Sequence, residues 1–98
     1  MTKQEVVAEF QEAYSRNACL FEDESDFYCG ITNDLKLRAQ QHNATFLLTF
    51  TANSFEAAKK LEQALHDAGF DTGKQLGNGQ EDSVHVYMYK KIPGVTRE

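Results

Sequence analysis

The sequence contains little of what small secreted proteins use for stability. Its 98 residues include two cysteines, Cys19 and Cys29, a single proline and no tryptophan. Two cysteines are too few for the disulfide framework of a secreted mini-protein, and one proline with six glycines leaves no linker-like segment. A chain of this length can bury a modest hydrophobic core without metal or disulfide support. We therefore expect one domain over residues 1–98.

Long hydrophobic runs are also lacking. No apolar stretch approaches the roughly 18 residues that a transmembrane helix needs. The first ten residues, MTKQEVVAEF, contain acids where a secretory signal has a continuous apolar region. The sequence therefore predicts no membrane partner and a cytoplasmic location.

Basic residues are fewer than acidic ones. Ten Lys and Arg stand against fifteen Asp and Glu, which gives a formal net charge of −5. Affinity for a nucleic-acid backbone comes largely from basic side chains that displace counterions, so this balance disfavours strong, non-specific binding of nucleic acid. A local basic patch would still permit nucleic acid as a partner, and a protein partner is the alternative.

Helical and extended patterns alternate along the chain and predict an α+β domain. Capping residues precede each helical pattern, beginning with Thr2 and Glu5, which form a capping-box pattern. We expect a short, mainly antiparallel sheet flanked by helices, with an extra N-terminal helix and a C-terminal strand. The expected elements are helices over residues 3–15, 34–42 and from an Asn53 or Ser54 cap to Gly69, strands over residues 19–21, 27–31, 45–51 and 84–89, and a frayed tail over residues 93–98.

The first two predicted strands suggest a β-hairpin. The segment between them, residues 22–26, contains four acids and is too polar to be buried. Pairing Phe21 with Phe27 would place Cys19 opposite Cys29. The two cysteines are then either reduced thiols that face the core or a cross-strand disulfide.

The densest motif lies in residues 27–44. Tyr28 and Gly30 end a predicted strand as Tyr-x-Gly, and a Thr-Asn-Asp-Leu helix start follows. Arg38 comes ten residues after Tyr28, and His42 comes four residues later. This combination resembles the second half of the GIY-YIG nuclease domain, so the resemblance implies a GIY-YIG-like fold.

The resemblance extends to a carboxylate on the third predicted helix. The family uses a metal-binding Glu on a later helix, and Glu62, in the run AKKLE over residues 58–62, fits that position. Helix geometry singles out the same residue independently, because Glu62 falls within the apolar arc of the helix. A carboxylate there needs a partner or a cation, since its desolvation is costly.

The resemblance implies hydrolysis of phosphodiester bonds in nucleic acid with one Mg²⁺ or Mn²⁺ ion. Tyr28 would position or activate the attacking water, Arg38 would stabilise charge on the phosphate, and Glu62 would hold the cation. His42 would assist proton transfer near neutral pH. The remaining implied positions, for substrate binding, are Gly30 and Asn78.

One expected feature is missing. The family places its first tyrosine ten to twelve residues before the second, and residues 16–18 here read Arg-Asn-Ala. The nearest tyrosine, Tyr14, falls in the first predicted helix. The fold could therefore persist without catalysis.

Each candidate residue also has a purely structural interpretation, and so does a row of aromatic residues near the end of the chain. His85, Tyr87 and Tyr89 share one face of the last predicted strand, either as a stacking surface or as a sheet face covered by a helix. The structural alternatives are Tyr28 as a sheet aromatic, Arg38 paired with Asp34, His42 at a helix C-terminus, Glu62 paired with Lys59 or His66, and Asn78 in a glycine-flanked turn.

Two functional alternatives compete with the nuclease. One is a catalytically inactive binding or regulatory module that acts through a protein partner, with the acidic segment 22–26 imitating nucleic-acid phosphates. The other is a ferredoxin-like regulatory fold in which the strand after Phe70 lies between or beside the earlier strands and Glu62 faces solvent. The nuclease hypothesis requires Tyr28, Arg38 and Glu62 to converge.

Overall fold

The computed structural model describes residues 2–73 and 81–97, which form three α-helices, one short 3-10 helix and three strands. The class predicted from the sequence is confirmed, because the sheet is antiparallel and helices flank it. The helices are α1 (Lys3–Asn17), α2 (Leu35–His42) and α3 (Phe55–Asp67), the strands are β1 (Phe27–Thr32), β2 (Leu48–Thr51) and β3 (His85–Lys90), and the 3-10 helix is Glu24–Asp26.

Polar side chains begin all three α-helices where the sequence predicts them. Thr2 and Glu5 form a complete capping box at the start of α1. Asp34 and Ser54 each accept a hydrogen bond from a backbone N–H in the first turn of α2 and α3. Each cap satisfies a donor that the helix leaves unpaired, which typically contributes about 1 kcal/mol. Gly69 follows α3 with a φ of +105°, a conformation that glycine adopts without strain.

The last strand, β3, lies in the middle of the sheet. It pairs in antiparallel fashion with β1 on one side and β2 on the other. The register places Tyr89 opposite Tyr28 and Tyr87 opposite Gly30. Residues directly opposite each other project to the same face of a sheet, so these four positions share one face. Asp71 pairs in parallel with the outer edge of β1.

The other face of the sheet carries the hydrophobic core. On this face Cys29 lies opposite Met88, α3 packs against β1 and β3, and α1 packs against α3 and β2. The apolar residues that recur at helical spacing in α1 and α3 thus form one core with the apolar residues that alternate along β1 and β3. The buried core consists mainly of Val6, Phe10, Phe27, Cys29, Ile31, Leu61, Leu65, Phe70, Val86 and Met88.

The predicted hairpin is wrong. Residues 19–21 enter a turn instead of a strand, because the strand that pairs with β1 is β3. The polar segment that follows forms the 3-10 helix, with Asp23 as its cap. Cys29 is buried and Cys19 is exposed, and both are free thiols. The expected placement of Cys19 opposite Cys29 is therefore wrong, and so is the disulfide alternative.

The chain after β3 turns back onto α2. The N–H of Arg97 donates to the carbonyl oxygen of His42 at 2.6 Å. The side-chain amide of Asn43 donates to the carbonyl oxygen of Val95 at 2.9 Å. The tail that the sequence marks as frayed is thus hydrogen-bonded to α2 as far as Arg97. Within the described residues, no helix combines the length and apolar character needed to cross a membrane.

Candidate functional site

Three elements supply the candidate residues that the sequence identifies and the structure describes. Tyr28 comes from β1, Arg38 and His42 lie one turn apart on α2, and Glu62 lies on α3. Tyr28 and Arg38 are partly exposed, whereas His42 and Glu62 are buried. Asn78 lies outside the described residues.

Two further tyrosines, both from β3, join this group. The rings of Tyr28 and His42 lie 5.2 Å apart between centroids, and Tyr89 lies 5.2 Å from Tyr28 and 4.9 Å from His42. The ring of Tyr87 lies 5.6 Å from His42. Phe46, in the loop after α2, stacks on Tyr87 at 4.4 Å. The aromatic rings therefore form one cluster on the face of the sheet opposite the core.

The hydrogen bonds of His42 identify its neutral tautomer. Its Nδ1 contacts the backbone carbonyl oxygen of Arg97, which can only accept a hydrogen bond, so Nδ1 carries a proton. Its Nε2 lies 2.9 Å from the hydroxyl of Tyr87 and, in the neutral ring, accepts the proton of that hydroxyl. The hydroxyl of Tyr89 lies 3.0 Å from Nδ1 and donates to the same carbonyl oxygen at 3.3 Å. Tyr87 and His42 thus form a hydrogen-bonded pair with a defined direction.

Gly30 makes room for this pair. A Cβ atom at Gly30 would lie 2.5 Å from the hydroxyl oxygen of Tyr87 and 2.7 Å from Cζ of its ring. Both distances are far inside van der Waals contact, so any side chain at Gly30 would displace the ring. The glycine of the Tyr-x-Gly motif therefore lets Tyr87 cross β1 and reach His42.

The pKa of the Tyr87 hydroxyl responds to several residues of this group. Burial raises the pKa of its hydroxyl well above the usual range for tyrosine, Tyr28 and Glu62 raise it further, and Arg38 opposes them. Tyr87 is 1% exposed. The hydroxyl therefore stays protonated at neutral pH and remains a hydrogen-bond donor. The charges of Arg38 on α2 and Glu62 on α3 therefore both lie within electrostatic range of this hydroxyl.

Glu62 has the burial that the helix pattern predicts, which contradicts the solvent-facing Glu62 of the ferredoxin-like alternative. The strand after Phe70, β3, does lie between the two earlier strands, as that alternative expects. Only 4% of Glu62 is exposed. Its charge, together with the burial of Cys29, raises the pKa of that thiol well above the usual value, with burial as the larger cause. The proposed pairing partners of Glu62 are engaged elsewhere: Lys59 pairs with Glu56 at 3.1 Å, and His66 bonds to Thr72 at 3.0 Å.

Arg38 does not pair with Asp34. Asp34 instead accepts the N–H of Leu37 at 3.0 Å and caps α2. In the part of the chain that the structure describes, no carboxylate lies within ion-pair distance of Arg38. A partly exposed guanidinium beside a tyrosine cluster can bind a phosphate group.

A single carboxylate limits which metal the site can hold. Among residues 2–73 and 81–97, no group of three or more His, Cys, Asp or Glu side chains is placed to share an ion. Such a site does not suit zinc, which takes three or four protein ligands. It suits Mg²⁺ or Mn²⁺, which keep several waters and bind through one or two carboxylates and the phosphates of a substrate. Glu62 is the residue that would hold the ion.

Sequence reasoning missed Tyr87 as a site residue. The spacing in the family places the first tyrosine before Tyr28, just ahead of the predicted hairpin. Tyr14, the candidate found there, packs edge-on against Phe27 at 5.1 Å, on the core side of the sheet. The signal in the sequence is the alternation of His85, Tyr87 and Tyr89. It shows that the three side chains share one face of the strand, but it does not identify the strand that pairs with it.

No protein-family model matches the chain, and neither the curated protein sequences nor the solved structures contain a significant match.

Proposed function

We propose that this protein is a metal-dependent phosphodiesterase of the GIY-YIG type that hydrolyses nucleic acid. The observation that carries the proposal is the packing of Tyr28, His42 and Tyr87 in one cluster, with the hydroxyl of Tyr87 hydrogen-bonded to His42. His42 accepts its hydrogen bond at 2.9 Å, while Tyr28, Arg38 and Glu62 all influence its pKa. These four neighbours are the residues that the motif selects, and they come from three separate elements.

Tyr87 takes the place of the missing first tyrosine in this proposal. The motif requires two tyrosines close together, and the rings of Tyr28 and Tyr87 lie 6.3 Å apart, nearly parallel. The family has its first tyrosine on a strand that precedes the second. Here the corresponding strand is β3, which follows β1 in the chain and pairs with it. The order of the strands along the chain is therefore changed, while the spatial pairing of two tyrosines is present.

Each residue has a distinct part in the proposed reaction. Tyr28 is partly exposed, so its hydroxyl can meet the attacking water, while buried Tyr87 holds a proton directed at Nε2 of His42. Arg38 binds the phosphate and stabilises the charge that develops on it. A divalent ion at Glu62 supplies Lewis-acid polarisation of the phosphate when bound.

The test is a cleavage assay on supercoiled plasmid and on single- and double-stranded oligonucleotides, with Mg²⁺ or Mn²⁺. We expect Glu62→Gln and Arg38→Ala each to lower the rate by about 100-fold or more, the usual cost of removing one group that stabilises the transition state. Matched controls are Glu56→Gln, an exposed carboxylate on the same helix, and Arg16→Ala, an exposed arginine on α1. Both controls keep the wild-type rate.

Two tyrosine variants test the assignment of Tyr87. Tyr87→Phe removes the hydrogen bond to His42, and we expect it to reduce cleavage as strongly as Tyr28→Phe. Tyr14→Phe removes a hydroxyl on the core side of the sheet, which donates to the carbonyl oxygen of Glu22 at 3.3 Å, and we expect it to leave the rate unchanged. If no substrate is cleaved faster by the wild type than by Glu62→Gln, the proposal is refuted.

A second candidate is a regulatory module that acts through a protein partner. The acidic segment 22–26 lies directly beside two exposed apolar residues, Leu20 and Phe21, which favours a protein contact at this surface. The two candidates differ in what they expect of the wild-type protein. The second candidate expects a protein contact at this surface and no cleavage of nucleic acid, whereas the first expects cleavage.

A further inference from the structure

The turn after α1 displays two large apolar side chains to solvent. Leu20 is 85% exposed and Phe21 is 97% exposed. The backbone of Phe21 has a φ of +72°, in the left-handed region that glycine and asparagine usually occupy. An aromatic residue at this position costs about 1–2 kcal/mol in backbone strain. We call these two residues the apolar knob.

Contacts on both sides hold the knob in place. The N–H of Glu22 donates to the carbonyl oxygen of Cys19 at 3.0 Å and closes the turn. The carboxylate of Glu22 accepts the N–H of Cys19 and forms an ion pair of 2.9 Å with Lys90. Lys90 also donates to the carbonyl oxygen of Asn17 at 3.3 Å. The exposed rings and methyl groups are therefore presented by an ordered turn, which lowers the entropic cost of docking them.

The surface beside the knob is acidic. Lys90 neutralises Glu22, but Asp23, Glu24 and Asp26 form no ion pair within the described residues. A partner for the knob therefore needs an apolar cavity with a basic rim.

The same chain has such a cavity at the opposite end of α1. Its volume is about 280 Å³, and its lining includes the apolar side chains of Val6, Ala52 and Leu61. The exposed lysines Lys3 and Lys60 lie at its rim. An apolar cavity of about 150 Å³ holds a benzene molecule, so this one has room for the ring of Phe21 and part of Leu20.

We propose that the knob of one molecule docks into this cavity of a second copy. The 15 residues of α1 separate knob and cavity by about 22 Å, at 1.5 Å per residue, so the knob cannot reach the cavity of its own chain. Two copies with their α1 helices antiparallel place each knob at the other's cavity. The two equal contacts close a two-fold dimer, in which the acids beside each knob face the lysines of the partner.

Sedimentation equilibrium on the full chain, from about 10 µM to about 1 mM, tests this proposal over the affinity range of a small interface. We expect a concentration-dependent dimer whose dissociation constant rises by roughly 30-fold or more in Phe21→Gly, the loss expected for a central aromatic anchor. Because glycine relieves the left-handed strain, this variant also stays folded, as thermal unfolding will show. Lys60→Glu weakens the dimer through like charges at the rim. Leu37→Ala, which shortens an exposed apolar side chain on α2, is the control and leaves the dimer unchanged.

Mixing two variants identifies which surfaces meet. Phe21→Gly keeps the cavity and lacks the knob, whereas Lys60→Glu keeps the knob and has a damaged cavity. A mixture of the two retains one intact contact, so the heterodimer forms more tightly than either variant alone. A wild type that stays monomeric to about 1 mM overturns the proposal. A dimer that persists unchanged in Phe21→Gly overturns it as well.

Discussion

Replacing Gly30 with alanine tests whether the passage of Tyr87 over β1 is required. The new Cβ would lie 2.5 Å from the hydroxyl oxygen of Tyr87, so the ring must move away from His42. Overpacking of this kind costs about 1–3 kcal/mol, and loss of the Tyr87–His42 hydrogen bond adds about 1 kcal/mol. Alanine recovers about 0.5–1 kcal/mol through its better strand conformation. We expect Gly30→Ala to lower the free energy of unfolding by about 1–3.5 kcal/mol, measured by urea denaturation.

A double-mutant cycle isolates the clash from other effects. Tyr87→Leu removes the three ring atoms nearest to the new Cβ, which are the hydroxyl oxygen, Cζ and Cε2. In this background we expect Gly30→Ala to cost less than about 1 kcal/mol, so that the coupling energy between the two positions is large. Gly94→Ala is the comparison variant: it has a φ of +80° with nothing within 4 Å, so it reports backbone strain alone. If Gly30→Ala costs as much with Leu as with Tyr at position 87, the reasoning about this glycine is refuted.

Two further predictions concern the buried groups beside the site. Burial raises the pKa of Cys29 above its ordinary value of 9.0 and the pKa of Tyr87 above 10.0, so the unfolded chain ionises first as the pH rises. The free energy of unfolding should therefore be steady below pH 9 and then fall by about 1.4 kcal/mol per pH unit for each group. In urea titrations above pH 10, the free energy of unfolding of Tyr87→Phe should fall less steeply with pH than that of the wild type. Equal slopes for the two proteins would contradict the assignment. In a thiol-reagent titration of the folded protein, exposed Cys19 should react rapidly and buried Cys29 should react only after unfolding, so two fast thiols would contradict the placement of Cys29.

The helices could be predicted closely because their boundaries are set by local chemistry. The caps at Asp34 and Ser54 lie within one turn of the groups that they satisfy, so a short window of sequence contains the whole interaction. The burial of Glu62 was predictable for the same reason, since the apolar arc of one helix determines it. Helix α2 begins and ends within one residue of the prediction.

The pairing of the strands could not be predicted in this way. The alternation of Tyr87 and Tyr89 with Val86 and Met88 identifies a strand and its two faces, but it carries no information about the neighbouring strand. The acidic segment before β1 was compatible with a hairpin, and the structure uses it for a 3-10 turn instead. The site was therefore predicted on β1, α2 and α3, where the motif is continuous, and missed on β3. The function of the Tyr28 and Tyr87 pair stays a prediction.

The position of β3 in the sheet also affects how the chain is made. Synthesis delivers β1 and β2 first, and the strand that separates them emerges only after α3. Until then β1 has no strand to pair with, so the apolar residues on its core face stay incompletely buried while the rest of the chain is translated. Assembly of the sheet and completion of the tyrosine cluster therefore become a single late event. A ribosome that stalls before residue 85 would release a chain without the middle strand of its sheet and without Tyr87 and Tyr89 of its candidate site.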